Sequence, residues 1–184
     1  HLIAGSNILV LSDEVYEHIT FDGLPHVSAA SHPVLAERSF VVFSFGKTFH
    51  ATGWKLGYVL APENLMKEFR KIHQYDVFSC NAPIQLAFAD FMDYDEVFHI
   101  SDMYQQKRDF FLEAVSPSRF KAIPSGGTYF QLLDYSEISD EGDADFAKRL
   151  TTEFKVASIP VSVFYHNTVD DKVLRFCFAK QEDT

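Results

Sequence analysis

The sequence has few of the features that mark secreted, membrane-spanning or nucleic-acid-binding proteins. Its 184 residues include only two cysteines, Cys80 and Cys177, whose wide separation predicts a reduced, cytoplasmic protein rather than a disulfide-stabilised one. No apolar run approaches the roughly 20 residues that span a bilayer, and the N-terminal residues lack a signal-peptide pattern. The 26 acidic residues outnumber the 16 basic ones, and this net charge of −10 argues against nucleic acid and anionic membranes as partners.

Metal-binding spacings are absent as well. The eight histidines are scattered and form neither an HExxH motif nor a Cys/His zinc pattern, so no metal site is predicted. The chain is instead rich in apolar and aromatic residues: 47% are hydrophobic, with 19 phenylalanines and eight tyrosines. This composition is sufficient for a sizeable core in one large domain or two small ones.

Short apolar runs separated by longer connections characterise the first half of the chain. The runs 7–11, 40–45 and 57–61 are typical of buried strands, and helical spacing of apolar residues predicts a helix at about 63–78. Buried strands joined in this way favour an α/β fold with a mainly parallel sheet.

The last third of the chain has a different pattern. Four short strand-like segments and one predicted helix, at about 143–154, indicate a smaller α+β unit. We therefore predict a boundary near His99, which divides the chain into domains 1–98 and 99–184. One continuous domain is the alternative.

A lysine, Lys47, follows the second apolar run in the stretch S-F-G-K-T-F-H-A-T-G-W-K-L-G. Ligands of parallel α/β sheets bind at the carboxyl ends of strands, where Ser44 and Lys47 are expected. A lysine withdrawn from water is a nucleophile for carbonyl carbons. Lys55 adds a second cation suited to a phosphate, and the glycines of this stretch allow close approach of a ligand to the backbone. A solvated loop lysine is the alternative, which the aromatic, nearly uncharged flanks of Lys47 disfavour.

A second candidate site is the segment Ser12-Asp-Glu-Val-Tyr16, which follows the first apolar run. Asp13 is expected at the carboxyl end of that strand, where a carboxylate can pair with a positively charged ring nitrogen. Tyr16 is close enough in sequence to donate a hydrogen bond to a ring oxygen. A helix-capping role for Asp13 is an equally good interpretation of this segment alone.

The third candidate is Arg175, within the strand-like run Val173–Phe178. Strand alternation places Arg175 and Cys177 on one face, with the apolar residues on the other. An arginine among apolar residues is costly unless it is paired, and its planar guanidinium matches a carboxylate. A salt bridge to an acidic residue of this chain explains Arg175 as well as a ligand does.

The three sites combine into one pattern: Ser44-x-x-Lys47-x5-Gly53-x-Lys55-x-Gly57, with Asp13-x-x-Tyr16 before it and Arg175 after it. This pattern resembles the pyridoxal-phosphate aminotransferases of classes I and II. The stretches SDEVYEH, SFGKTFHATGWKLGY, GGTYF and LRFCFAK resemble the methionine and kynurenine aminotransferase branch. The resemblance implies an aspartate aminotransferase-like fold of type I. This chain would supply the C-terminal part of the large PLP-binding α/β domain and a small α+β domain without its final helix.

The resemblance also implies a role for each residue of the first two sites. Lys47 would hold pyridoxal 5′-phosphate (PLP) as an internal aldimine and act as the proton carrier. Asp13 would pair with the pyridine nitrogen, and Tyr16 would hydrogen-bond the 3-oxygen of the ring. Ser44 and Lys55 would bind the phosphate.

The implied activity is an aminotransferase reaction with small-molecule substrates. An amino group would pass from an apolar or aromatic L-amino acid, methionine-like, to a 2-oxo acid by a ping-pong mechanism. Arg175 would bind the substrate α-carboxylate, and the full-length protein would be a homodimer.

The resemblance covers only half of the family's machinery. The glycine loop for the phosphate, the aromatic residue that stacks on the ring and the asparagine for the ring oxygen would all lie upstream of His1. We therefore expect a piece of a longer protein that binds PLP poorly and does not transaminate alone.

Three other functions remain open. A PLP-dependent C–S β-lyase would share every residue named above, and a truncated chain could serve as a non-enzymatic interaction subunit. Ser44-x-x-Lys47 also fits the motif of serine acyl enzymes, although the S-D-N and K-T-G partners of that motif are absent.

Overall fold

The computed structural model describes residues 2–94, 99–167 and 169–182. The chain divides into two compact units, His1–Ile100 and Ser101–Thr184. No helix in the described part of the chain is long and apolar enough to cross a membrane. The elements of the first unit, in chain order, are β1 (Val10–Asp13), α1 (Pro33–Ala36), β2 (Ser39–Ser44), α2 (Phe45–Thr48), β3 (Gly57–Leu60), α3 (Glu63–Asp76) and α4 (Ala82–Phe91).

The three strands of the first unit form one sheet in the order β1-β2-β3. β1 runs parallel to β2, with Asp13 opposite Val42. β3 runs antiparallel to β2, with Gly57 opposite Ser44, so the expectation of a mainly parallel sheet holds for only one of the two pairings. The reason is the connection 45–56, in which α2 and a short 3-10 turn reverse the chain beside β2.

The predicted strand 7–11 is displaced and is not buried. The observed strand is β1, and the exposed fractions of Leu9 and Leu11 are 55% and 73%. β1 pairs only with β2 among the described residues, so it lies at the edge of this sheet. In the central strand β2, by contrast, the alternate residues Val41 and Phe43 are buried, in agreement with the buried strand predicted at 40–45.

Two helices follow β3, and the first begins and ends close to its predicted position. α3 begins directly after Pro62 and ends at Asp76, against a predicted 63–78. α4 is capped by Asn81, whose side-chain oxygen accepts a hydrogen bond from the backbone N–H of Ile84 at 3.1 Å. Phe88 is the buried residue of α4.

The second unit is an antiparallel sheet with helices. Its elements are α5 (Ile100–Val115), β4 (Lys121–Ala122), β5 (Phe130–Asp134), α6 (Asp143–Phe154), β6 (Ile159–Pro160) and β7 (Val173–Cys177). The strand order is β4-β5-β7-β6, and every pairing is antiparallel. This arrangement matches the α+β pattern predicted for this part of the chain, and α6 has the predicted bounds.

One face of this sheet forms the core of the second unit. Leu133 of β5 and Leu174 of β7 are completely buried and pack with Tyr135 and with Phe146 of α6. Residues of β5 and β7 alternate between buried and half-buried positions, so the opposite face of the same strands carries a separate set of side chains.

Candidate active site

The carboxyl ends of β1 and β2 carry two of the predicted site residues. Asp13 is the last residue of β1 and Ser44 the last residue of β2, and the parallel pairing of these strands brings both ends to one edge of the sheet. Asp13 accepts a hydrogen bond from the N–H of Val15 at 3.3 Å. The residues that follow form a turn rather than a helix, so the helix-cap interpretation of Asp13 does not apply.

Lys47 lies in the single turn of α2, directly after β2, and its side chain is half-buried. Its amine nitrogen is 6.0 Å from the centre of the Tyr16 ring, so two residues predicted at one site are neighbours. Ser44 occupies the position before α2, and its hydroxyl makes no capping hydrogen bond to that helix. Lys47 is therefore part of a folded turn and not of a solvated loop.

Two glycines around Lys47 are required by the chain's own backbone. A Cβ at Gly46 would lie 2.9 Å from the Cα of Thr52, and a Cβ at Gly57 would lie 2.3 Å from the carbonyl oxygen of Phe43. Gly53 has no heavy atom within 4 Å of such a Cβ. The sequence interpretation assigned these glycines to the approach of a ligand, whereas Gly46 and Gly57 allow the close packing of the loop and of β3 against β2.

Lys55 follows the 3-10 turn Thr52–Trp54 and is exposed. Its backbone is left-handed, with φ 53° and ψ 48°, a conformation that costs a non-glycine residue on the order of 1 kcal/mol. Because Gly57 is opposite Ser44 and Lys55 is two residues earlier, the Cα atoms of Lys55 and Ser44 are within about 12 Å of each other. A hydroxyl and a cation are thus available near the end of β2.

A cluster of aromatic rings packs against the segment that carries Lys47. Phe88 of α4 lies at the centre of this cluster, with ring centroids 5.4 Å from Phe45 and 5.3 Å from both Phe49 and Trp54. Such tilted pairs each stabilise a fold by about 0.5–1.5 kcal/mol beyond their burial. These packed aromatic rings therefore hold α2 in position.

Glu14, next to Asp13, is a buried carboxylate that the sequence interpretation missed. It accepts hydrogen bonds from the hydroxyl of Ser12 and the N–H of Ala29, both at 2.8 Å, and its second oxygen is 2.9 Å from Nε2 of His26. Burial raises the pKa of Glu14, but these groups and the Ser28 hydroxyl outweigh burial and lower the pKa to about 2. Through His26 and Ala29, Glu14 connects the segment between Asp13 and Tyr16 to the segment before α1.

Arg175, the third predicted site, lies in the second unit on the half-buried face of β7. Its guanidinium carbon is 4.3 Å from the ring centre of Phe130 and 5.1 Å from that of Phe164. Its Nε is buried without a hydrogen-bond partner. Across the described residues the side chain of Arg175 forms no ion pair, so the alternative of an internal salt bridge is not observed there.

The groups at the ends of β1 and β2 fit a cofactor with an aldehyde, a ring nitrogen and a phosphate. Lys47 offers an amine, the neighbouring Tyr16 a phenol and Asp13 a carboxylate, while the Ser44 hydroxyl is not used to cap α2. Among the described residues, no group of three or more His, Cys, Asp or Glu side chains could hold a metal ion.

Comparisons with known proteins identify the family of this chain. The family model for aminotransferase class I and II matches residues 1–184. The methionine aminotransferase of Escherichia coli K12 is 49% identical over 184 residues, which cover 99% of this chain and 48% of that protein. The kynurenine–oxoglutarate transaminase of Dictyostelium discoideum is 36% identical over 203 residues, with coverage of 98% and 47%.

A solved structure leads to the same family. The crystal structure of an Escherichia coli protein with a methionine aminotransferase function matches with a TM-score of 0.93 at 49% identity. The match covers 98% of this chain and 48% of that one. The chain therefore spans about half the length of the curated relatives and of the solved structure that it matches.

Proposed function

The chain belongs to the class I and II aminotransferases, with their aspartate aminotransferase-like fold, and from this premise we propose the activity of the protein at its natural length. It transfers an amino group from an apolar or aromatic L-amino acid, such as methionine, to a 2-oxo acid. The proposal follows the relatives with methionine and kynurenine aminotransferase names, which act on amino acids of this kind.

The observation that carries the proposal is the position of Lys47. Its amine extends from the turn after β2 and lies 6.0 Å from the Tyr16 ring, at the sheet edge where α/β proteins bind their ligands. The aromatic cluster around Phe88 holds this turn in place, so the amine is presented from a fixed support.

The cofactor of this proposal is PLP, on which the class I and II family depends. In this chain Lys47 would hold it covalently, Asp13 would bind the ring nitrogen and Tyr16 the ring oxygen. Ser44 and Lys55 would bind the phosphate. When bound, PLP supplies an electron-withdrawing ring that accepts the electron pair left at the substrate Cα.

Each side chain then has a defined task during transfer. Lys47 would act as the base that moves the proton of the substrate Cα. Asp13 would keep a proton on the ring nitrogen by offering a carboxylate, and Tyr16 would donate a hydrogen bond from its phenol to the ring oxygen. Arg175, which makes no ion pair within the described residues, binds the substrate carboxylate.

We further propose that 1–98 is the C-terminal part of the large PLP-binding domain and that 99–184 is the small domain. The protein at its natural length is a homodimer that acts on small-molecule amino acids and oxo acids. Its two cysteines are unpaired in the structure, which favours a cytoplasmic location.

The test is borohydride reduction of the natural-length protein loaded with PLP, which makes the bond between cofactor and lysine permanent, followed by peptide mapping. We expect the label on Lys47, its loss in Lys47→Ala and its retention in the matched control Lys67→Ala, a lysine on the exposed surface of α3. Label on any other lysine would overturn the assignment.

A second measurement identifies the reaction. Methionine plus a 2-oxo acid is expected to give a new amino acid, whereas pyruvate and ammonia from cystathionine would identify a C–S β-lyase. The 184-residue chain alone is expected to bind PLP weakly and to show no transfer, because it spans about half of its relatives.

A further inference from the structure

The two faces of β7 have different environments. Leu174 and Phe176 are buried in the core of the second unit, whereas Arg175 extends from the opposite, half-buried face. Phe130 of β5 lies on that same face, because Phe130 is opposite Cys177 and Cys177 is two residues from Arg175. Such diagonal neighbours on adjacent strands are within reach of long and aromatic side chains.

The guanidinium of Arg175 lies against two aromatic rings. Its central carbon is 4.3 Å from the ring centre of Phe130, and 5.1 Å from that of Phe164, which is the last residue of the 3-10 turn Ser162–Phe164. Both separations are within the range of cation–π attraction. The arginine therefore contacts aromatic rings contributed by two different segments of the second unit.

An aromatic neighbour orients a cation in a different way from an acidic one. A carboxylate would take the N–H edge of the guanidinium with two parallel hydrogen bonds and would neutralise its charge. An aromatic ring attracts the same cation but accepts none of these hydrogen bonds and leaves the charge in place. Within residues 2–94, 99–167 and 169–182, Arg175 has no ion pair, and its buried Nε has no hydrogen-bond partner.

The turn that carries Phe164 is fastened by a buried acid. Asp143, the first residue of α6, is 3% exposed and accepts hydrogen bonds from the backbone N–H of Ser162 at 2.7 Å and from its hydroxyl at 2.6 Å. Its own backbone N–H donates to the Asp170 carboxylate at 3.0 Å. Phe164 is 60% exposed and follows Ser162 by two residues, so its ring contacts Arg175 from a turn that Asp143 binds.

We propose that Phe130 and Phe164 are positioning residues that hold the Arg175 guanidinium ready for a substrate carboxylate, with Asp143 fixing the turn of Phe164. This inference rests on the proposed function, because the carboxylate is that of the amino-acid substrate. It adds to that function the two rings that take the place of an acidic partner.

The test uses the protein at its natural length, loaded with PLP, and two probes related to methionine. The first, 4-(methylthio)butanoate, retains the carboxylate and lacks the amino group; the second, 3-(methylthio)propylamine, lacks the carboxylate. Titration calorimetry gives the Kd of each probe, and steady-state kinetics give KM and kcat for methionine.

We expect Phe164→Leu to raise the Kd of the carboxylate probe and the KM for methionine about tenfold, with little change in kcat. The Kd of the amine probe is expected to stay the same, an outcome that a general loss of structure would not produce. Phe164→Tyr, which keeps a ring, restores carboxylate binding to within about twofold. The matched control is Phe154→Leu, because Phe154 is 59% exposed and Phe164 60%, and Phe154 is the last residue of α6, whereas Phe164 contacts Arg175.

Three results separate this inference from the proposed function. Unchanged carboxylate binding in Phe164→Leu and in Phe130→Leu overturns the inference alone. Unchanged binding in Arg175→Lys overturns the assignment of the carboxylate to Arg175, and the inference with it. If the protein transfers no amino group but the ring variants still weaken carboxylate binding, the proposed function fails and the inference stands.

Discussion

Glu14 at the end of β1 and Arg175 in β7 both have charged groups withdrawn from solvent, but their surroundings differ. The Glu14 carboxylate accepts hydrogen bonds from Ser12 and Ala29 and contacts His26. The Arg175 guanidinium lies between two rings, with a buried Nε that has no partner. A charge whose hydrogen bonds are all made within the protein stabilises the fold. A charge left without such bonds is available to a ligand, at a cost to the empty site.

The largest effect is expected at Arg175, where a replacement should reduce activity far more than stability. Arg175→Leu in the natural-length protein is expected to lower kcat/KM for methionine roughly 1,000-fold, because two charge-assisted hydrogen bonds to the carboxylate are lost. The free energy of unfolding is expected to change by no more than about 2 kcal/mol, because two ring contacts are lost but no ion pair is broken. Kinetics and urea unfolding of the same preparations measure both quantities.

The matched control for Arg175→Leu is Arg149→Leu. Arg149 pairs with Glu141, with Nη2 and Oε1 2.7 Å apart, so its replacement is expected to cost some stability and to leave kcat/KM unchanged. The comparison between Glu14 and Arg175 breaks down if Arg175→Leu loses several kcal/mol of stability and its activity falls only in proportion to the folded fraction.

The second largest effect is expected at Glu14, where a replacement should reduce stability. A pKa lowered from 4.5 to about 2 corresponds to roughly 3 kcal/mol of stability at neutral pH, which Glu14→Gln is expected to remove. Urea unfolding measures the loss. The control is Glu68→Gln, which breaks an exposed 2.8 Å pair with Lys71 and is expected to have little effect. Equal losses in the two variants would contradict the structural role of Glu14.

The pH dependence of stability is a second test of the structural role of Glu14. Because the pKa of Glu14 is lowered in the folded protein, its contribution is complete above pH 4.5, declines as the pH falls toward 2 and is absent below that. Its share of the slope is about 1.4 kcal/mol per pH unit within this window. Urea midpoints measured between pH 5 and 2.5 are expected to fall less steeply in Glu14→Gln, and parallel curves would refute the assignment.

The smallest effect concerns one of the donors to Glu14. Ser12→Ala removes a 2.8 Å hydrogen bond to a buried carboxylate and is expected to cost about 1 kcal/mol. Ser139→Ala removes a similar 2.9 Å bond to Glu141, a more exposed carboxylate, and is expected to cost less. Thermal unfolding of both variants decides whether burial, rather than the bond itself, determines the value of these contacts.

Local features of the sequence predicted much of the fold. The bounds of α6 and the alternation that places Arg175 on the face opposite Leu174 both depend on residues close together in the chain. The displacement of β1 and the reversed direction of β3 were not predicted. Strand ends and strand direction depend on pairing partners elsewhere in the chain.

The candidate site, like the fold, was predicted only in part from the sequence. The residue types around Lys47 and its place after a strand were readable from sequence, and the structure adds its proximity to Tyr16. The surroundings of Glu14 and Arg175 were not readable, because Ala29 and Phe130 are 15 and 45 residues away from the groups that they contact. Sequence alternation identifies the face of a residue, but it does not identify the neighbours on that face.

The alternating faces of β7 have a consequence for how substrate preference could change over evolution or in the laboratory. Replacement of Phe130 or Phe164 alters the face of β7 that carries Arg175. Leu174 and Phe176 continue to pack the opposite face of β7 into the core. The residues that contact one face of β7 can therefore be varied for selectivity almost independently of the residues that pack on its other face. A library of variants at Phe130 and Phe164 is expected to yield mostly folded proteins, with graded preferences among carboxylate substrates.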